Sequence, residues 1–250
     1  MPKFTELSVV IITLNEQENL SRCLASIPKG TEIVVLDSGS KDATIEIAKK
    51  FEASVHSRSF DNFAAQKNAA IDLATRDWVL SLDADEVLTD ELIASLESVD
   101  DKFAAYKIRR ELVFMQKRMK FGKTTDYPIR LFKKGRARFE SRIHEKLEVS
   151  GLVGKIEAPL LHYSYADIED YFKRFNRYTG LIAENHLNTG KNAPNLVAHV
   201  MRPWFEFINR YVFRLGFLDG YPGYCYALFS SFYAFVKYAK LSELAKKKHC

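Results

Sequence analysis

Two carboxylates, Asp83 and Asp85, stand one residue apart where an apolar run of the sequence ends. The run, WVLSL at residues 78–82, is typical of a short buried strand, so both side chains should face one space at the strand's end. Carboxylate oxygens suit a hard divalent cation such as Mg²⁺ or Mn²⁺, which often bridges protein carboxylates to phosphates. The pair therefore predicts a metal site, although aspartates at strand ends also begin turns or cap helices.

Two earlier apolar runs also end in polar residues. Residues 8–12 lead into Thr13, Asn15 and Glu16, and residues 32–36 lead into Asp37 and Ser38. Apolar residues at helical spacing follow each run. Alternating strands and helices with uninterrupted apolar strands predict an α/β fold with a mostly parallel sheet covered on both faces. Ligands of such sheets bind beyond the carboxyl ends of the strands, where these polar residues fall.

Three of these motifs together resemble the family 2 inverting glycosyltransferases: TLNE at 13–16, DSGS at 37–40 and LDADE at 82–86. The resemblance covers roughly residues 8–165 and includes RLF at 130–132 and RIHE at 142–145. It implies the GT-A fold, a Rossmann-like nucleotide-diphospho-sugar transferase domain, and a nucleotide-sugar donor. HYSY at 162–165, the segment 171–178 and GFLDG at 216–220 are similar to the β-glucosyltransferase branch of lipopolysaccharide core biosynthesis.

The resemblance also implies roles for the donor-side residues. Asp85 would be a catalytic residue as the direct ligand of Mg²⁺ or Mn²⁺, and Asp83 would contact ribose or the metal's coordination shell. Asp37 would accept a hydrogen bond from a uracil-like base. The remaining nucleotide contacts would come from Thr13, Asn15, Glu16, Ser38 and Asn68. Each also has an ordinary structural interpretation, as a turn residue, a helix cap or a polar residue on a helix face.

The acceptor side requires a base, because the attacking hydroxyl must lose its proton. Glu145 is the expected catalytic base and Glu86 is its rival, although Glu86 would suit the start of a helix equally well. His144 would touch the leaving phosphates or the acceptor, or serve a structural role. Arg130 would pair with the diphosphate or hold a neighbouring carboxylate, and the sequence does not separate these two roles.

The composition of the chain limits which classes of protein it can belong to. The chain has 250 residues, of which 47% are apolar, as expected for a globular protein with a substantial core. Three cysteines without metal-ligand spacing favour a reducing compartment, and no secretory signal is visible, so we expect a cytoplasmic protein. Neither a Gly-x-Gly-x-x-Gly motif nor a recognisable nucleic-acid-binding motif is present, which argues against dehydrogenases and nucleic-acid partners. A dehalogenase-type phosphatase would carry Thr in place of Val87.

The pattern changes from about Tyr106. We predict an antiparallel edge region that shapes the acceptor site, from alternating apolar residues and from the short runs 129–132 and 137–139. The basic residues of this region would meet an anionic acceptor or simply be solvated. We therefore expect a GT-A catalytic domain at 1–165, with a donor half at about 1–100 and an acceptor half at about 101–165. Residues 166–250 would form a helical, aromatic-rich extension.

That extension carries the whole net charge of +5, since residues 1–160 contain 25 basic and 25 acidic residues. Of the 32 aromatic residues, 14 lie in 201–240, interleaved with Arg and Lys. Aromatic bodies with basic flanks favour a helix lying in a membrane interface. Internal packing or a homodimer contact is the alternative, and a spanning helix is less attractive because the charge-free stretch 221–236 is short and rich in Tyr.

The sequence therefore predicts a metal-dependent glycosyltransferase, peripheral on the cytoplasmic face of the inner membrane. It would move a hexose, with glucose favoured, from a UDP-sugar to a lipid-linked acceptor, the lipopolysaccharide inner core. A transferase for another cell-envelope polysaccharide or glycolipid, and a non-catalytic membrane scaffold, are the alternatives.

Overall fold

The computed structural model describes residues 4–140, 146–190 and 195–248. The chain divides into two compact units, unit 1 with residues 1–111 and 126–163, and unit 2 with residues 112–125 and 164–250. The division into catalytic domain and extension at residue 165 stays a prediction.

Strands dominate the first two thirds of the chain. In chain order they are β1 (Leu7–Thr13), β2 (Glu32–Asp37), β3 (Ser54–Ser57), β4 (Trp78–Asp83), β5 (Glu86–Leu88), β6 (Ala105–Phe114), β7 (Lys117–Arg118), β8 (Thr125–Asp126), β9 (Ile129–Lys133), β10 (Ala137–Glu140), β11 (Lys146–Val149) and β12 (Val153–His162).

In the described ranges, four helices accompany the strands of unit 1 and three longer ones belong to unit 2. They are α1 (Gln17–Ala25), α2 (Thr44–Lys50), α3 (Phe63–Leu73), α4 (Asp90–Leu96), α5 (Ile168–Asn188), α6 (Leu196–Ile208) and α7 (Gly220–Lys248). A short π-helix (Asn209–Phe213) and a 3₁₀ turn (Gly216–Asp219) lie between α6 and α7, and another 3₁₀ turn (Phe4–Glu6) precedes β1.

The main sheet confirms the α/β prediction and corrects two details of it. Its strand order is β3-β2-β1-β4-β9-β6-β12-β5. β1 to β4 are parallel, whereas β9 pairs antiparallel with both β4 and β6, so the sheet is mixed rather than mostly parallel. β9 was expected at an edge, but it lies inside the sheet because Leu131 and Phe132 are both buried and need cover on both faces.

Successive residues of the central strands point to opposite faces, and each face is covered by different helices. Val9 and Ile11 of β1 pack in one cluster with Leu20 of α1 and Leu92 of α4. Val10, between them in sequence, packs in the other cluster with Ile71 of α3. This two-sided burial fixes the register of β1, so the loop that follows Thr13 emerges at a defined position.

Unit 2 is held together by aromatic side chains. The Phe114 ring, at the end of β6, meets the rings of Tyr165, Tyr171, Tyr226 and Phe229 at centroid distances of 5.5 to 6.3 Å. Such edge-to-face contacts add stability beyond the area they bury. No helix in the described part of the chain is long and apolar enough to cross a membrane.

The GFLDG segment at 216–220 has a structural role inside unit 2. The Asp219 carboxylate is buried and accepts hydrogen bonds from the backbone N–H groups of Lys120 (3.1 Å) and Phe121 (2.9 Å). A Cβ on Gly223 would lie 2.0 Å from the Gly216 carbonyl oxygen, so this turn tolerates only glycine there. The segment therefore fixes the 117–121 loop against the start of α7.

Candidate active site

The predicted strand-end residues meet at one edge of the sheet in unit 1. Thr13 lies opposite Asp37 in the β1–β2 register, and Ile12 lies opposite Asp83 in the β1–β4 register. Parallel strands with these registers bring the ends of β1, β2 and β4 side by side. The structure therefore brings Thr13, Asp37 and Asp83 together at the sheet edge where the sequence placed them.

Asp37 anchors the loop that follows β2. Its buried carboxylate accepts hydrogen bonds from Thr13 Oγ1 (3.2 Å), from the N–H groups of Gly39 (2.7 Å) and Ser40 (2.8 Å), and from the Ser40 hydroxyl. Four donors converge on one carboxylate, which fixes the shape of the 37–40 turn.

The 13–17 loop is tied to the turn after β2. Asn15 adopts a left-handed conformation (φ 55°), which asparagine tolerates better than most residues. Its N–H donates to Ser40 Oγ (2.8 Å), and its side-chain oxygen accepts from the Lys41 N–H (2.9 Å). The Glu16 N–H donates to Thr44 Oγ1 (2.8 Å). These bonds make a pre-formed rim at the sheet edge from two loops that have little regular structure of their own.

Ser38 completes this rim through a residue that sequence reasoning missed. The fully buried Gln66 on α3 donates from Nε2 to Ser38 Oγ (3.0 Å) and to the Arg58 carbonyl (3.2 Å), and its Oε1 accepts from the Arg58 guanidinium (2.7 Å). A glutamine inside a helix gives no sequence signal for such a role. Its burial becomes visible only when α3 is packed on the sheet.

Asp83 and Glu86 lie in a buried ionic network centred on Arg130. The Arg130 guanidinium, itself buried, donates to Asp83 Oδ2 and to Glu86 Oε1 (2.6 Å to the latter). Glu86 is fully buried, and its Oε2 accepts from the Asp83 N–H (3.0 Å). Of the two roles open to Arg130 in the sequence, the structure therefore shows the one in which it holds neighbouring carboxylates.

Two further cations enter the same network, and neither was predicted. Arg110 on β6 donates to Glu86 Oε1 (3.0 Å) and makes a two-pronged pair with Asp126 (2.9 and 2.7 Å). Lys67 Nζ on α3 lies 3.2 Å from Asp83 Oδ1. Three acidic and three basic side chains thus balance in charge, which offsets much of the desolvation cost of burying Glu86 and Arg130.

The network shifts the acid–base equilibria of its members. Burial alone would raise the pKa of Asp83, but the charges of Arg130 and Lys67 outweigh it and hold the Asp83 pKa well below its usual range. Burial likewise opposes the charge on Arg130, yet Asp83 and Glu86 raise the pKa of its guanidinium further above the ordinary value. Asp83 therefore stays ionised at neutral pH at the sheet edge.

Asp85 lies in the turn between β4 and β5, apart from that network. Its Oδ2 is 3.3 Å from His162 Nε2 at the end of β12, and both side chains are about one fifth exposed (18% and 22%). The Tyr163 N–H donates to the Asp85 carbonyl (2.8 Å), which fixes the end of β12 beside the turn. His162 was noted in the sequence only as part of HYSY, since 77 residues separate it from Asp85.

This pair suits a divalent cation that has few protein ligands. No group of three or more His, Cys, Asp or Glu side chains converges within the described ranges, so an all-protein metal cage is absent from them. Mg²⁺ commonly takes only one or two carboxylates and completes its shell with water and substrate phosphates. The partly exposed Asp85 carboxylate is an oxygen donor of that kind, and the His162 imidazole lies 3.3 Å from it.

Three further predicted residues are not part of the cluster as the described residues show it. Glu145 and His144 lie outside the described residues. Asn68 gives both amide hydrogen bonds to the backbone of Phe139, donating to its carbonyl (2.8 Å) and accepting from its N–H (2.9 Å). In this way Asn68 joins α3 to β10, and a nucleotide contact for it stays a prediction.

The chain is similar in sequence to known glycosyltransferases. The family model for glycosyl transferase family 2 matches residues 8–140. An uncharacterized glycosyltransferase of Rickettsia typhi is 30% identical, with 97% of this chain and 88% of the relative covered. The lipopolysaccharide core biosynthesis glycosyltransferase LpsC of Rhizobium meliloti is 28% identical, with 95% and 92% covered. Among solved structures, S. aureus TarS in complex with UDP-GlcNAc gives a TM-score of 0.49 at 15% identity, covering 92% of this chain and 81% of that one.

Proposed function

Because this chain belongs to glycosyl transferase family 2 and is a glycosyltransferase, we propose that it is an inverting, metal-dependent hexosyltransferase with a UDP-sugar donor. Glucose is the favoured sugar, and the acceptor is a sugar hydroxyl of a lipid-linked molecule, the lipopolysaccharide inner core. The observation that carries the proposal is the Asp85–His162 pair (3.3 Å), which lies at the strand-end side of the sheet two residues after the ionised Asp83.

The rim at the ends of β1 and β2 is suited to the nucleoside. In this proposal Asp37 and Thr13 lie at the base and Asn15 and Glu16 at the base and ribose, with Ser38 oriented by Gln66. Their hydrogen bonds to one another keep the rim in shape before a ligand arrives, so binding orders little additional chain.

The diphosphate would lie near Asp85 and His162, the two residues that would hold a Mg²⁺ or Mn²⁺ ion. Such an ion supplies Lewis-acid stabilisation of the negative charge that develops on the leaving diphosphate. Asp83, held in its anionic form by Arg130 and Lys67, would meet the ribose or the metal's water shell. Glu145 would accept the proton of the attacking hydroxyl, because Glu86 is already enclosed by two guanidinium groups and a backbone N–H.

A lipid-linked acceptor would place the protein on the cytoplasmic face of the inner membrane. Large apolar side chains on α6 are exposed, among them Val197 (70%) and Phe205 (64%), and the surrounding sequence is basic. The likeness to LpsC supports the lipopolysaccharide core as the acceptor class. A transferase for another envelope glycan is the alternative, and a homodimer through the same apolar surface is the alternative to membrane contact.

Donor binding and transfer together test this proposal. UDP-glucose and other nucleotide sugars are offered with Mn²⁺ or Mg²⁺ and a truncated core acceptor, and Mn²⁺ binding is measured separately by its electron paramagnetic resonance signal in the presence of UDP. Asp85→Asn and His162→Gln should each weaken Mn²⁺ binding and lower transfer by orders of magnitude.

Asp77→Asn is the matched control, because this exposed aspartate precedes the opposite end of the same strand. It should behave as the wild type. Full transfer by Asp85→Asn in chelator would contradict the metal assignment, and transfer from no UDP-sugar would contradict the donor assignment.

A further inference from the structure

An apolar groove of about 440 Å³ runs between α6 and α7 within unit 2. The helices are antiparallel, since His199 of α6 lies beside Phe235 of α7 and Phe207 lies beside Tyr224. From Tyr224 to Phe235 the groove follows eleven residue-to-residue steps of the helix, or about 17 Å at 1.5 Å per step. Its size is within the range of small-ligand sites, and its walls are almost entirely apolar or aromatic.

The groove is open to solvent despite these walls. Trp204, Leu228 and Phe232 all line it, and they are 63%, 42% and 48% exposed. Large apolar side chains left exposed in a row are unfavourable in water and usually mark a binding surface. The shape, long and narrow, suits an extended hydrocarbon chain better than a compact ring system.

Two cations lie beyond one end of the groove. The Arg202 guanidinium carbon and Lys237 Nζ each lie 4.9 Å from the centroid of the Tyr238 ring, one helical turn past Phe235. Within the described residues neither cation forms an ion pair, whereas nearby Arg210 pairs with Glu206 and Lys240 is held by Asn176. Both cations lie near the same ring, and an anion that contacts both would be attracted by two positive charges.

We propose that this groove binds one acyl chain of an anionic phospholipid from the bilayer, with the lipid phosphate between Arg202 and Lys237. The apolar walls match the acyl chain of such a lipid and the two cations match its phosphate, whereas a neutral lipid offers no anionic group to these cations. The lipid would hold unit 2 at the membrane independently of glycosyl transfer, so the site stands whether or not the proposed donor and acceptor are correct.

Trp204 makes the groove directly observable, because the chain has only two tryptophans and Trp78 is buried in unit 1. In full-length protein carrying Trp78→Phe, the emission of Trp204 is titrated with lysophosphatidylglycerol brominated along its single chain, as monomers without donor or metal. Bromine quenches only at close range. We expect quenching that saturates at one lipid per protein, with an affinity on the order of tenfold above that for brominated lysophosphatidylcholine, since two basic residues face the headgroup.

Matched variants separate a chain in the groove from general surface adsorption. Ser231 lines the groove and the adjacent Ser230 does not, so Ser231→Leu should abolish saturable quenching while Ser230→Leu leaves it intact. Arg202→Gln with Lys237→Gln should reduce the affinity for the anionic lipid to that for the zwitterionic one. Lys49→Gln with Lys50→Gln, an equal charge change on α2, should not.

The fold of each variant is checked by circular dichroism, and its mass in solution by sedimentation. Quenching that is equal in Ser231→Leu and Ser230→Leu would overturn the proposal in favour of surface adsorption. A dimer in which no lipid quenches Trp204 would overturn it in favour of a second copy covering the groove. Equal affinities for the two headgroups would overturn the assignment of the phosphate site.

Discussion

Replacing Glu86 by Gln tests whether this residue is an ionic anchor or a catalytic base. Glu86 is fully buried and accepts hydrogen bonds from Arg130 (2.6 Å), Arg110 (3.0 Å) and the Asp83 N–H (3.0 Å). A glutamine retains the size but turns one acceptor into an N–H donor. That donor would face either a guanidinium group or a backbone N–H, so at least one hydrogen bond to a charged group is lost.

The expected loss of stability follows from the ion pairs that remain in the variant. Breaking a buried ion pair by removing one partner costs about 3–5 kcal/mol, and losing a hydrogen bond to a charged group costs about 1.5–3 kcal/mol. Arg130 still has Asp83 and Arg110 still has Asp126, so the low end of the first range applies. We expect Glu86→Gln to lower the free energy of unfolding by about 3 kcal/mol, and the melting temperature by about 6–12 °C.

The measurement uses urea unfolding in a Trp204→Phe background, where Trp78 reports on unit 1 alone. Glu97→Gln, an exposed glutamate, is the control and should change stability by less than about 0.5 kcal/mol. At a temperature where the variant is folded, transfer by Glu86→Gln should persist and keep the acid limb of the wild-type pH profile. If the free energy of unfolding is unchanged and transfer falls by about 10²-fold or more, Glu86 is not an ionic anchor and is instead the catalytic base.

Three further predictions concern separate parts of unit 1. Glu145→Gln should lower transfer on the order of 10²-fold or more while UDP-sugar affinity, measured by calorimetry, stays constant; a parallel loss of affinity would make Glu145 a binding residue. Asp83 has a lowered folded-state pKa, so its ionised form stabilises the fold above its ordinary pKa of about 3.9, and this stabilisation is lost as pH falls towards the folded-state value. Asp83→Asn should therefore make the free energy of unfolding less dependent on pH in that acid range. An unchanged pH dependence would contradict the ion network. Asn68→Ala leaves the N–H and carbonyl of Phe139 without their partner and should cost about 1–3 kcal/mol; a loss of UDP affinity in the same variant would support the nucleotide contact predicted for Asn68, and unchanged affinity would contradict it.

The sequence predicted the parallel half of the fold because its signals are local. Residues 8–12, 32–36 and 78–82 are apolar runs followed at once by polar residues, and the structure has β1, β2 and β4 there with one or two additional residues. Parallel strands whose ends share one sheet edge bring Thr13, Asp37 and Asp83 together without any knowledge of side-chain packing.

The antiparallel half could not be predicted in this way. The position of β9 between β4 and β6 depends on pairings across about 50 and 25 residues, and no periodicity within residues 129–133 encodes which strand is the neighbour. The run was short and followed by Gly135, which also fits an edge strand. Only the burial of Leu131 and Phe132 on opposite faces distinguishes the two positions.

The same limit explains why residue type located the site but did not assign the roles within it. Arg130 and Glu86 are each compatible with chemistry on a substrate, and their sequence neighbours do not exclude it. In the fold each becomes the other's partner, because β9 carries the guanidinium past the turn where Glu86 enters β5. A charge that is neutralised inside the protein is poorly placed to accept a proton or bind a phosphate, whereas Asp85 faces an imidazole at a partly exposed position. Reactivity at this sheet edge is therefore decided by which carboxylates the antiparallel strands enclose among guanidinium groups, and Asp85, partly exposed beside His162, is the carboxylate better placed for ligand chemistry.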